Sequence, residues 1–327
     1  MIISQTPLRM SFVGGGSDLP SYYRRHGGAV LSTAIDKYVY VSANPKFDGG
    51  IRLAYSRTEE VERLDQIQHR LFRAAFEVLG IAGGVEVTTT ADIPSRGTGL
   101  GSSSTFTVGL LQVMSAYLGK AATADWLAET ASYIEIEKCS EPIGKQDQYA
   151  AAHGGLNLIV FNPDDSVEVR PVAVDPEVVS ELERRLVVLY TGGDRSASAI
   201  LHGQNEAVET RADTRRSLGR MVELAFDLHR ELEAGRLDFF GDILRENWSL
   251  KKALAQGISN PRIEAWHDAA IAAGAEGGKL LGAGAGGFMM FYADPSRHDE
   301  IAEATGLRRV QFGFEPSGAR ILFPNCV

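Results

Sequence analysis

Cysteine is nearly absent from this chain: there are two in 327 residues, Cys139 and Cys326, far apart. That excludes a disulfide framework and the paired spacing of a zinc site. Basic residues are the minority, 33 Lys and Arg against 42 Asp and Glu, for a net charge of −9. The balance weighs against a general binder of nucleic acid or of anionic membrane. Long hydrophobic runs are also missing. The most apolar stretch, residues 280–293, is too short and too rich in glycine to span a bilayer. The opening MIISQTPLRMSF has no charged segment followed by an apolar one, so it does not read as a secretory leader. Together these absences predict a cytoplasmic protein with neither nucleic acid nor membrane as partner, and they leave homo-oligomerisation open. What remains is ordinary globular composition, 44% hydrophobic and 23% charged, in 35.4 kDa. That is room for two domains with sizeable cores.

The stretch that organises the chain is PSRGTGLGSSST, residues 94–105. It follows an alternating run, VEVTTTADI, that reads as a strand, and precedes an apolar pattern of helical period at Phe106, Leu110, Val113, Met114 and Tyr117. Gly97, Gly99 and Gly101 allow the backbone to turn its N–H groups toward a ligand. Ser102, Ser103 and Ser104 fall where a helix begins, with hydroxyls free to cap it or reach an ion. The first amides of that helix have no partner within it and carry the positive end of its dipole. The stretch is built to receive phosphate; read alone, it would also serve as a tight turn with a serine cap.

In chain order, residues 8–13 read as a strand running into Gly14-Gly15-Gly16-Ser17-Asp18. Asp18 either caps the short helix that follows or accepts hydrogen bonds from substrate hydroxyls. Residues 29–45 read as paired strands, 51–55 as a continuation of their sheet, and 59–79 as a helix. Thr123 opens a helix that carries Glu135 and Glu137. Two positions along a helix turn by about 200°, so only one of the two can face a given site. Asp147 lies just past Pro142 and Gly144, which break that helix. Strands are predicted over 156–161 and 167–174, a domain boundary near 175–185 (domains 1–180 and 181–327), and a strand over 186–193. Helices follow over 203–234, 238–256 and from Asn260-Pro261 to Gly274. Residues 279–293 read as strand, glycine loop, strand, and 308–323 as a hairpin.

Two familiar phosphate-binding designs fail. No glycine-lysine pair is followed by Ser or Thr, which removes the P-loop. Gly282, Gly284 and Gly287 satisfy G-x-G-x-x-G, but the dinucleotide design needs a helix next, and FMMFYA reads as a strand. The three glycine-rich segments PLRMSFVGGGSDLP (7–20), PSRGTGLGSSS (94–104) and LLGAGAGGF (280–288) instead resemble, in order and spacing, the three motifs of the GHMP kinases. These are small-molecule kinases of galactose, homoserine, mevalonate and phosphomevalonate. The GGGSDLP and EPIGKQDQYAAAHGG versions look most like the branch that phosphorylates D-glycero-D-manno-heptose 7-phosphate at its anomeric hydroxyl. L-Fucokinases carry a similar GGG loop and are the rival; a non-catalytic sensor on the same fold is a second.

The resemblance implies an α+β chain with an N-terminal domain like ribosomal protein S5 domain 2 and a ferredoxin-like C-terminal domain, the site lying in the cleft between them. It implies ATP and Mg²⁺, with the ATP phosphates on the loop from Pro94 through Gly97, Gly99, Leu100, Gly101, Ser102 and Ser103 to Ser104. Ser103 and Glu135 match the magnesium ligands, with Glu137 as fallback. Asp147 matches the aspartate that takes the proton from the attacking hydroxyl, and Arg9 an arginine beside the reacting groups. The sugar phosphate would rest on Gly15, Gly16, Ser17, Asp18 and Gly284, with Lys145 and Arg195 favoured among the basic residues to anchor its phosphate.

Overall fold

The computed structural model describes residues 1–94, 98–192 and 197–323. Gly97 and Arg195 therefore lie outside the described residues. The first half builds around two long strands, β1 (Ile2–Val13) and β2 (Gly28–Pro45), joined through the glycine loop and helix α1 (Pro20–His26). There follow β3 (Ile51–Ala54), β4 (Thr58–Val61), α2 (Arg70–Leu79) and β5 (Val85–Ala91). Next come α3 (Ser102–Tyr117), α4 (Ala124–Ser132), α5 (Gln146–His153), β6 (Leu156–Phe161), β7 (Val167–Pro171) and α6 (Pro176–Arg185). The second half holds β8 (Leu186–Gly192), α7 (Ala197–Thr210), α8 (Ala212–Glu233), α9 (Phe240–Lys252) and α10 (Pro261–Ala272). It ends with β9 (Gly277–Leu280), β10 (Gly287–Tyr292), α11 (His298–Thr305), β11 (Arg308–Val310) and β12 (Arg320–Phe323).

Two sheets result. The larger runs β12-β1-β2-β5-β3-β4, with β6 also pairing β2 and β7 pairing β6; its pairs are antiparallel except β3 with β5. The smaller is antiparallel in the order β11-β8-β10-β9. With helices after β8 and after β10, that is the β-α-β-β-α-β pattern of a ferredoxin-like unit. The expected strand–loop–strand over 279–293 is β9 and β10, so no helix follows the G-x-G-x-x-G glycines. Apolar residues of both halves meet in one core: the Phe12 ring at the end of β1 lies 5.3 Å from Phe240 of α9, edge-on, and Phe240 4.9 Å from Tyr292 of β10.

Four local expectations are corrected. Residues 28–45 form one strand, not a pair; its first part pairs β6 and its last part β5, so its neighbour changes while the strand continues. Residues 58–61 are the edge strand β4, followed by a 3₁₀ turn at Leu64–Gln66, and helix begins only at Arg70. The helix expected over 203–234 is interrupted at Arg211, where the backbone is extended. Residues 308–323 are not a hairpin: β11 joins the small sheet on β8, and β12 returns to the large sheet on β1. The caps at Thr123 and Asn260 are present, each accepting from backbone amides of its own first turn.

Candidate active site

α3 begins where its loop meets the cleft. Gly101, the residue before it, has φ 80°, and no side chain caps its first amides. Those N–H groups and the Ser102, Ser103 and Ser104 side chains open onto a cavity of about 270 Å³. The cavity is walled by the Gly15–Gly16 loop with Asp18, by Thr98–Gly99, by Glu135, by Ile143, Gly144, Gln146 and Asp147, by α7 and by the 282–286 loop. The three glycine segments separated by most of the chain thus converge on one space.

Asp147 sits in the first turn of α5 and packs on Gly101, where a Cβ would stand 3.2 Å from its Oδ2. Arg9, in β1 and 4% exposed, donates from Nε to Asp147 Oδ1 at 2.7 Å, with NH2 at ion-pair distance of 2.6 Å from the same oxygen, and from NH1 to Gly99 O at 2.7 Å. One guanidinium therefore fixes both the carboxylate and the glycine loop. The structural ion pair and the role beside the reacting groups coincide in this residue.

Glu135 and Glu137 lie on a π-helical turn, Tyr133–Lys138, that continues α4. Such turns widen the helix and re-aim a side chain. Glu135 is 1% exposed at the cavity; Glu137 faces out and pairs with Arg24 at 3.6 Å. Ser103 Oγ and Thr107 Oγ1 both donate to Glu135 Oε1 at 3.2 Å, and Gln148 Nε2 donates to Oε2 at 2.5 Å. Burial, helped by the Asp147 charge, pushes its carboxyl up to about 7, against the pull of Ser104, Gln148 and Thr107. No cluster of three or more His, Cys, Asp or Glu that could hold a metal occurs among the described residues, so Ser103 and Glu135 fit a cation only when ligand oxygens and water complete its shell.

Asp18 is buried, with its carboxyl raised by desolvation. Gly16 N donates to its Oδ1 at 2.8 Å, Gln146 Nε2 to Oδ1 at 3.1 Å and Gln146 N to Oδ2 at 3.3 Å. It ties the first glycine loop to the segment that carries Asp147 while still lining the cavity. Gly15, Gly16 and Gly284 also line it. Other predicted residues are not brought there. Ser17 is buried behind the loop, exchanging bonds with the backbone of Ala29. Leu100 is buried beneath the loop, Pro94 is exposed outside it, and neither lines the cavity. The Lys145 ammonium turns away to Asp165 at 3.3 Å and lies over the Tyr23 ring. Arg24 also pairs with Asp165. Among the lining residues that were not anticipated are Gln204 of α7 and Lys251 of α9. In the sequence they are one polar residue among many in amphipathic helices, and only the fold turns them inward.

A cleft with a glycine loop at an uncapped helix terminus, a carboxylate on a positioned arginine, and a ferredoxin-like second half has the architecture of a small-molecule kinase. The chain belongs to the GHMP kinases. Residues 66–155 match the GHMP kinases N terminal domain and residues 228–306 the GHMP kinases C terminal. It is a phosphotransferase with an alcohol group as acceptor and ATP as donor. The chain is 32% identical, over 98% of both chains, to the D-glycero-alpha-D-manno-heptose 7-phosphate kinase of Campylobacter jejuni subsp. jejuni serotype O:2. It is 28% identical to the bifunctional fucokinase/GDP-fucose pyrophosphorylase of Arabidopsis thaliana, over 91% of this chain and 30% of that protein. Among solved structures it resembles a D-glycero-D-manno-heptose 1-phosphate kinase from Bacteriodes thetaiotaomicron, at TM-score 0.81 and 28% identity, covering 99% of each chain. Among the described residues no helix is long and apolar enough to cross a membrane.

Proposed function

We propose that the acceptor is a sugar phosphate, D-glycero-D-manno-heptose 7-phosphate, phosphorylated at its anomeric hydroxyl to the 1,7-bisphosphate on the way to a nucleotide-activated heptose for surface polysaccharide. The observation that carries the reading is Asp147, held by Arg9 against the first residues of α3 in one cavity. There the carboxylate accepts the proton of a hydroxyl as that hydroxyl attacks the terminal phosphoryl group of ATP. An anomeric hydroxyl is more acidic than a simple alcohol, which suits a carboxylate base. The free amides of α3 hold the phosphates, and most of the rate comes from positioning and charge neutralisation.

Ser103 and Glu135 would hold magnesium, which would offset the charge of the ATP phosphates. Glu135→Gln should raise the magnesium concentration needed for half-maximal rate by about tenfold or more. Its melting temperature should hold or rise, because a neutral amide replaces a buried carboxyl. A magnesium titration of both proteins checks this, and an unchanged requirement removes Glu135 from the ligand set.

The relatives are named for acceptors phosphorylated at different positions, and fucose is the rival sugar. An acceptor panel separates them: heptose 7-phosphate, heptose 1-phosphate, free heptose and L-fucose, each with ATP. The reading predicts that heptose 7-phosphate has the highest kcat/KM. Equal turnover of L-fucose contradicts it, and absence of turnover with every acceptor would favour a sensor.

A further inference from the structure

Helix α9 turns two buried polar side chains toward the first glycine loop, one helical turn apart. Asn247 Oδ1 accepts from Gly14 N at 3.3 Å and anchors the loop. Lys251, four residues on and 6% exposed, carries its ammonium to the cavity wall beside Gly15, where a Cβ would stand 3.8 Å from Nζ. An ammonium has three donors. Lys251 spends one on a neutral acceptor, Gly282 O at 2.6 Å, and no carboxylate among the described residues comes within ion-pair distance. Among the described residues the other cation on the wall, Arg9, is taken by Asp147. Burial lowers Lys251 to about 8, helped by the Arg9 charge and opposed by Asp18 and Asp147. Across the same loop, Gln204 is 2% exposed and its Nε2 has no hydrogen-bond partner among the described residues. A Cβ at Gly16 would stand 2.2 Å from that nitrogen. Among the described residues, a buried cation without its anion and a buried amide nitrogen without its acceptor thus lie against the Gly15–Gly16 backbone, and both residues line one cavity.

We propose that Lys251 and Gln204 form a subsite for a phosphate dianion, the seat of a phosphate group carried by the bound substrates. The subsite rests on the kinase reading of this cleft and takes the anchoring role expected of Lys145. Two sources share the chemistry: the acceptor's own phosphate, and the phosphoryl group in transfer.

The test compares wild type with Lys251→Met, Lys251→Arg and Gln204→Leu on heptose 7-phosphate and on free heptose. Lys251→Met should lose about 10- to 100-fold in kcat/KM, the range of a charged hydrogen bond, with partial rescue in Lys251→Arg. Loss confined to the phosphorylated acceptor assigns the acceptor's phosphate; equal loss in kcat on both assigns the group in transfer. In wild type the KM for the phosphorylated acceptor should rise as pH passes about 8 and Lys251 loses its proton. The charged groups facing it are Arg9, Asp18, Asp147 and Lys279, and Lys251→Met should flatten that rise. Should neither sugar be an acceptor, inorganic phosphate titrated calorimetrically into the ADP-loaded protein decides independently: binding lost in Lys251→Met supports the subsite, and equal binding overturns it. Wild-type constants for both acceptors in Lys251→Met, at unchanged melting temperature, also overturn it.

Discussion

Asp147→Asn is expected to lower kcat by about 10²- to 10⁴-fold, the range of a positioned general base, while ATP binding survives. The amide has nearly the shape of the carboxylate, so it keeps its place against Gly101, but it cannot take the proton. It also leaves the buried Arg9 guanidinium without its counter-charge. Removing one partner of a fully buried pair costs about 3–5 kcal/mol; the Asp147 side chain is 24% exposed and the amide oxygen still accepts from Arg9, so the loss here is smaller. The melting temperature should fall in parallel. Nucleotide affinity by calorimetry separates lost chemistry from lost folding: a folded variant that binds ATP with kcat near wild type would remove Asp147 from the base role.

Gly282→Ala is expected to be nearly as damaging, although it adds one methyl group. Gly282 has φ 75°, and a Cβ there would stand 2.3 Å from Gly99 Cα, on the phosphate loop. The left-handed conformation alone costs a non-glycine residue about 1–2 kcal/mol. The clash is with backbone, so one of the two loops must move. Gly99 O holds Arg9, and Gly282 O holds Lys251. Displacement therefore reaches the base and the proposed phosphate subsite together. A shift of about 1 Å can cost roughly 100-fold in rate. Steady-state kinetics should show kcat/KM for ATP reduced by about that factor with a lower melting temperature; unchanged kinetics would mean that the contact between the loops is incidental.

The phosphate loop was legible because each of its parts has a local cause: an alternating strand, glycines, hydroxyls and a helical period follow in one run. The two glutamates were legible halfway. Rotation along a helix says that one faces the site, but which one depends on the π-helical turn and on Gln148, Thr107 and Ser103 around it. Asp147 looked like any loop aspartate; the family motif singled it out, and Arg9, 138 positions away, gives the physical reason. Lys251 and Lys252 read alike as the basic last turn of α9. The fold buries the first and leaves the second on the Glu264 carboxylate at 2.6 Å. The missing hairpin at the end of the chain has the same origin: two short strands near in sequence pair with different sheets, a choice made by partners far away in the chain. β4 escaped notice because its residues, TEEV, are too polar to show the alternation of a half-buried strand.

The most direct test of the account is a crystal structure with a non-hydrolysable ATP analogue and heptose 7-phosphate bound. The account predicts the terminal phosphate against the amides that open α3, the anomeric hydroxyl within hydrogen-bonding distance of the Asp147 carboxylate, and the two in line. A sugar bound with its anomeric hydroxyl away from Asp147, or a triphosphate seated elsewhere than on α3, would contradict it.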